Sequence, residues 1–185
     1  MRIILLVLIM INTSCVSQQK KSLKAEKNKF NCKIDFNKIT NSNYLKDKLN
    51  DFNSEDSDCL EAFFSQCKYI YQKKKENQED YLSGITFLYD NSDSLSSTLI
   101  EGSFFNEVFQ DNITLITDYL FNNKNSSLNK ALKMGISYEY SIFEGKERDE
   151  KYNAIYKKVS NELKNERHKN YIIELLNDID RDLYD

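Results

Sequence analysis

From residue 58 onward, apolar side chains recur at steps of three and four, the spacing that keeps them on one face of an α-helix. Leu60, Phe63, Phe64, Cys67, Ile70 and Tyr71 predict a first long helix, opened by Asp58 and Glu61 and running toward Lys73-Lys74-Lys75. Tyr81, Leu82, Ile85 and Leu88 predict a second, bounded by Asp90-Asn91-Ser92-Asp93. Leu95, Leu99 and Ile100 open a third, which Phe104, Phe105, Val108 and Phe109 extend past Gly102. Three more clusters follow, around Leu115 to Leu120, Leu128 to Ile136 and Tyr152 to Leu163. The last helix is expected over Ile172, Leu175, Leu176, Ile179 and Leu183, and residues 41–52 add a short one at the start.

Two of these segments are alike. Ile85-Thr86-Phe87-Leu88-Tyr89-Asp90-Asn91, followed by Ser94-Leu95 and Leu99, matches Ile116-Thr117 with Tyr119-Leu120-Phe121-Asn122-Asn123, followed by Ser127-Leu128 and Leu132. An offset of 31 to 33 residues between helix pairs resembles HEAT-type α-helical repeats. The resemblance implies stacked antiparallel helix pairs over about residues 58 to 165, an α-solenoid-like form of an all-α fold. An irregular helical bundle satisfies the same apolar pattern. Composition favours helix in either case, because the chain has no proline and only four glycines in 185 residues. With 40% hydrophobic residues it carries enough apolar surface for a packed core.

The front of the chain follows another pattern. After Met1-Arg2 comes an unbroken apolar run from Ile3 to Ile11, about half of what a bilayer span requires. It ends in Asn12-Thr13-Ser14-Cys15. This junction resembles the lipobox of bacterial lipoproteins, with Asn12 where that family usually carries an aliphatic residue. The resemblance implies that residues 1–14 are a cleaved signal peptide and that Cys15 takes the lipid. The expected address is then the bacterial cell envelope, on an inner or outer membrane outside the cytoplasm. An ordinary secretory signal with an incidental cysteine, or an uncleaved anchor, would use the same run.

Residues 15–38 read as the lipidated cysteine and a polar basic tether, with lysines at 20, 21, 24, 27, 29, 33 and 38 against Glu26 and Asp35. Beside a lipid this charge suits anionic headgroups; otherwise it is a solvated linker. Residues 39–185 form the single helical domain, with 18 basic and 27 acidic residues, a net charge of −9. Such a body repels phosphate backbones and argues against nucleic acid as a partner.

Export makes a disulfide the expected chemistry for the remaining cysteines, Cys32, Cys59 and Cys67. Cys59 and Cys67 on one helix would stand about 12 Å apart, too far to bond. Cys32 therefore pairs with Cys59 or with Cys67, unless all three remain reduced.

Catalytic patterns are sparse. His168 is the only histidine, in the polar stretch Glu166-Arg167-His168-Lys169-Asn170, and reads as a solvated side chain. Asp178-Ile179-Asp180-Arg181-Asp182 resembles the opening of an EF-hand calcium loop, but Leu183 replaces the turn glycine and the chain stops before the closing glutamate position. Pairs such as Glu162 with Glu166 read as solvated helix faces. No metal or cofactor is expected, and the twelve tyrosines suit core rims or protein interfaces. The sequence points to a non-enzymatic, membrane-anchored protein-binding module, in its most concrete form an immunity protein that masks a cationic toxin. The alternative is a structural or accessory lipoprotein of an envelope assembly.

Overall fold

Most of the apolar clusters past residue 58 fold as helices that bury the stripe their spacing selects, the exceptions being Tyr71, the pair Leu95 and Leu99, and Leu183. The computed structural model describes residues 32, 34–39, 42–52, 58–181 and 183. The expected signal peptide, Cys15 and the tether up to residue 31 lie outside the described residues, while residues 32 and 34–38 of the tether lie within them. Among the described residues the fold is all-α. Two short helices, α1 (Ser42–Asp47) and α2 (Leu49–Phe52), precede α3 (Asp58–Cys67) and α4 (Lys75–Asn91). Then come α5 (Ser94–Ser103), α6 (Ile113–Asn122), α7 (Leu128–Tyr140), α8 (Gly145–Glu162) and α9 (Glu166–Asn177). Among the described residues no helix is long and apolar enough to cross a membrane.

The core is aromatic at one end and aliphatic at the other. Phe52, Phe63 and Phe64 meet edge to face and Tyr81 stacks on Phe63, so α2, α3 and α4 share one cluster. Ile116, Leu120, Leu132, Ile136, Val159 and Ile172 bind α6 to α9 together. Between the two lies a π-helical turn, Phe104–Phe109, that continues α5 without a break. Its Gln110 N–H reaches back five residues to the Phe105 carbonyl, at 3.1 Å. Phe104, Phe105, Val108 and Phe109 are all fully buried in it.

The tightest helix contact joins α5 and this turn to α7, which run side by side in the same direction. Gly135 of α7 lies against the Glu101 backbone of α5, where any Cβ would overlap the carbonyl. One turn on, Asn106 donates to Glu139 at 2.9 Å and Phe105 meets the Tyr140 ring edge to face. A regular array of helix pairs would stack α4 on α6 in the same way, yet these two scarcely touch. Helix α6 packs chiefly against α9 instead.

Three segments differ from the sequence expectation, each for a physical reason. The first long helix ends at Cys67 rather than near Lys73, because the side chain of Asn112 captures the next backbone groups. It donates to the Lys68 carbonyl (3.1 Å) and accepts the Tyr71 N–H (3.0 Å), which shapes a 3-10 turn over Ile70–Gln72. The last helix stops at Asn177, and the tail that follows is fixed by side chains of other helices: Ser137 donates to the Asp180 carbonyl and Arg148 to that of Arg181. Leu183 therefore stays exposed, although Ile179 is buried. Leu95 and Leu99, expected inside, are each about half exposed, because α5 turns its Ser96, Ile100 and Glu101 face inward.

Candidate functional site

Because α4 and α6 do not close on each other, a groove of about 1030 Å³ lies between them. Helix α4 contributes Lys75, Gln78, Glu79, Leu82 and Ser83, positions at steps of three and four that form one continuous stripe. Across from it stand Asp111, Leu115, Asp118, Tyr119 and Asn122, a matching stripe on α6 and the residues that lead into it. Glu162 at the end of α8 and His168 in the first turn of α9 also line the groove, with Tyr71 contributed by the 3-10 turn.

The floor is apolar and the rim acidic. Leu82 and Ile113 are each 1% exposed and make the bottom. Glu79, Asp111, Asp118 and Glu162 face one lysine, Lys75. Asn112 fixes one wall to its neighbours: besides its bonds to Lys68 and Tyr71, its amide donates to the Val108 carbonyl at 2.7 Å. It is 4% exposed, so the α6 entrance is tied to the turn that carries Tyr71.

His168 is not solvated as the sequence suggested. Asn165 caps α9 by accepting the backbone N–H groups of Arg167 and His168, which sets the imidazole against α6. Its Nδ1 lies 2.5 Å from Asp118 Oδ1, and its ring centroid is 4.3 Å from that of Phe121. The side chain is only 17% exposed. A carboxylate oxygen can only accept, so the His168 Nδ1–H is the donor of this contact. Such a pair can orient an imidazole for proton transfer, but that chemistry also needs a nucleophile in reach. Among the described residues no hydroxyl or thiol is hydrogen-bonded to His168.

The other candidates from sequence fall elsewhere. Cys15 lies outside the described residues. Cys32 is disulfide-bonded to Cys59, with Cα atoms 4.9 Å apart, which ties the chain ahead of α1 to α3. Cys67 is a buried free thiol, and burial pushes its pKa well above the ordinary value. Asp178 pairs with Lys133 at 2.5 Å, which holds its carboxyl below the usual range, and Asp182 lies outside the described residues. Among the described residues no group of three or more His, Cys, Asp or Glu side chains could hold a metal ion.

Nothing in the sequence marks Glu79, Asp111 and Asp118 as a set, and Glu162 has the spacing of a solvated helix face. Glu162 is exposed, but it is exposed onto the groove. The available signal was the stripe Lys75, Gln78, Glu79 and Ser83 on α4, polar residues at the spacing of one face beside the buried Leu82. No protein-family model, no curated protein and no solved structure matches this chain.

Proposed function

We propose that the helical domain is a non-enzymatic protein-binding module, held at a membrane by a lipid on Cys15, that engages a cationic partner through the groove between α4 and α6. Its most concrete form is an immunity protein that masks a positively charged toxin. The observation that carries this reading is the groove itself: an apolar floor, an acidic rim and two helical walls that leave a contact surface uncovered. The net charge of −9 over residues 39–185 adds a long-range field that speeds encounter with a basic surface.

The test is capture from the native cell envelope with the full chain as bait, followed by a salt series. A stoichiometric partner that leaves as salt is raised supports the reading, and restored growth when that partner is expressed as a toxin supports immunity. Constitutive recovery of envelope components, with no inhibition of any of them, supports an accessory lipoprotein instead. Turnover of a small molecule with no protein captured refutes a binding module. Mass spectrometry that finds Met1 retained, or Cys15 without acyl chains, refutes the lipid anchor.

A further inference from the structure

The shape and chemistry of the groove specify what kind of segment fits it. Its α4 wall, from Lys75 to Ser83, runs about 12 Å at 1.5 Å per residue, and its α6 wall, from Asp111 to Asn122, about 16 Å. A cylinder about 10 Å across, the width of a helix, and about 13 Å long fills the 1030 Å³ of the groove. Both walls are helices, whose backbone donors and acceptors are already used along their own ladders. An extended peptide would find no strand edge to pair with and would bring its own backbone groups unsatisfied. A helix arrives with those groups bonded and needs only side-chain complementarity.

We propose that this groove receives a lysine- or arginine-bearing amphipathic helix from the partner protein, about two to three turns of it laid between α4 and α6. The proposal rests on the protein-binding reading and deepens it. The apolar face of the incoming helix lies over the closed floor at Leu82 and covers the partly exposed Leu115 and Tyr119. Its basic flank meets Glu79, Asp111 and Glu162, none of which has a salt bridge to a described lysine or arginine. Asp118 contributes less, because its carboxylate is already engaged by His168. The incoming helix takes the position between α4 and α6 that a regular stack of helix pairs would have closed by direct contact.

The experiment titrates the full chain, in non-ionic detergent, into a fluorescein-labelled 15-residue peptide with leucines on one face and lysines on its flanks. Four other ligands are compared: a scrambled peptide of the same composition, one with a central proline, one with glutamate in place of lysine, and free spermidine. The expected result is saturable binding that weakens with salt and is at least about tenfold weaker for the three altered peptides. The Glu79→Lys/Asp111→Lys double variant reverses two exposed charges and should weaken binding by about tenfold, with its melting temperature unchanged. Equal binding of the scrambled or proline peptide, displacement by spermidine at the same concentration, or an unaltered double variant would each overturn the proposal. So would a lack of saturation at about 1 mM peptide. Capture of the native partner by wild type and double variant alike overturns the helix in the groove while the binding-module reading survives. Capture by neither removes that reading itself.

Discussion

The same substitution at two glycines should move stability in opposite directions. A Cβ on Gly135 would overlap the Glu101 carbonyl oxygen, with the carbonyl carbon at 2.7 Å and the Phe105 Cβ at 3.2 Å. Two of these three atoms are backbone, which no rotamer change can move aside. Helices α5 and α7 must therefore part by about 1 Å, and a gap of that size forfeits a quarter to a half of each van der Waals well along the seam. Overpacking of this kind costs about 2–4 kcal/mol, offset by about 1 kcal/mol from replacing a helical glycine with alanine. Gly102 lies in α5 with nothing within 4 Å of its Cβ position, so only the favourable contribution applies there. At about 3 °C per kcal/mol for a domain of this size, Gly135→Ala should lower the melting temperature by about 3–9 °C and Gly102→Ala should raise it by about 3 °C. Thermal unfolding followed by circular dichroism at 222 nm reads both. If the two variants shift the same way, or Gly135→Ala moves the midpoint by less than about 1 °C, then close approach of α5 to α7 does not hold this fold together.

Three further outcomes follow from particular contacts. Reducing the Cys32–Cys59 bond, or replacing both cysteines with serine, opens a loop spanning 27 residues and should cost about 3–4 kcal/mol; identical melting with and without reductant would contradict this. Asn112→Ala leaves the Lys68 and Val108 carbonyls and the Tyr71 N–H without their partner, a loss of about 2–3 kcal/mol. Hydrogen exchange at Tyr71 should quicken far more than exchange in α8, and uniform change in both would count against a local latch. Burial among Phe105 and Tyr152 pushes the Tyr140 phenol up to about 12 from 10.0. Its contribution is fully present below pH 10 and is lost as pH rises toward 12, about 2 kcal/mol after allowing for partial exposure. Tyr140→Phe should flatten the decline of stability over that window, and an unchanged slope would show that another group governs it.

Helix existence was legible because periodicity is local, whereas the site was not, because it is built from separations along the chain. The clusters at Leu128 to Ile136 and Tyr152 to Val159 became α7 and α8 with their apolar faces buried. The end of α3 was not readable: Ile70 and Tyr71 keep the helical spacing, and what breaks it is Asn112, more than 40 residues away. His168 looked solvated because its sequence neighbours are polar, but its surroundings are Asp118 and Phe121, at separations of 50 and 47. Likewise the halves of the 31-to-33-residue repeat resemble each other as strings, while packing treats them differently. Gly135 lets α5 and α7 meet closely, whereas the buried glycine of α4, Gly84, faces Ile39, Leu45 and Phe63 rather than α6.

The Cys32–Cys59 bond also decides how the domain carries mechanical load. Tension applied to the chain ahead of Cys32 does not travel through α1 and α2, because the covalent path leads straight to α3. Those two short helices hang in a closed loop that a pull cannot peel open. Force instead enters α3, an element anchored in the core by the fully buried Phe63 and Phe64.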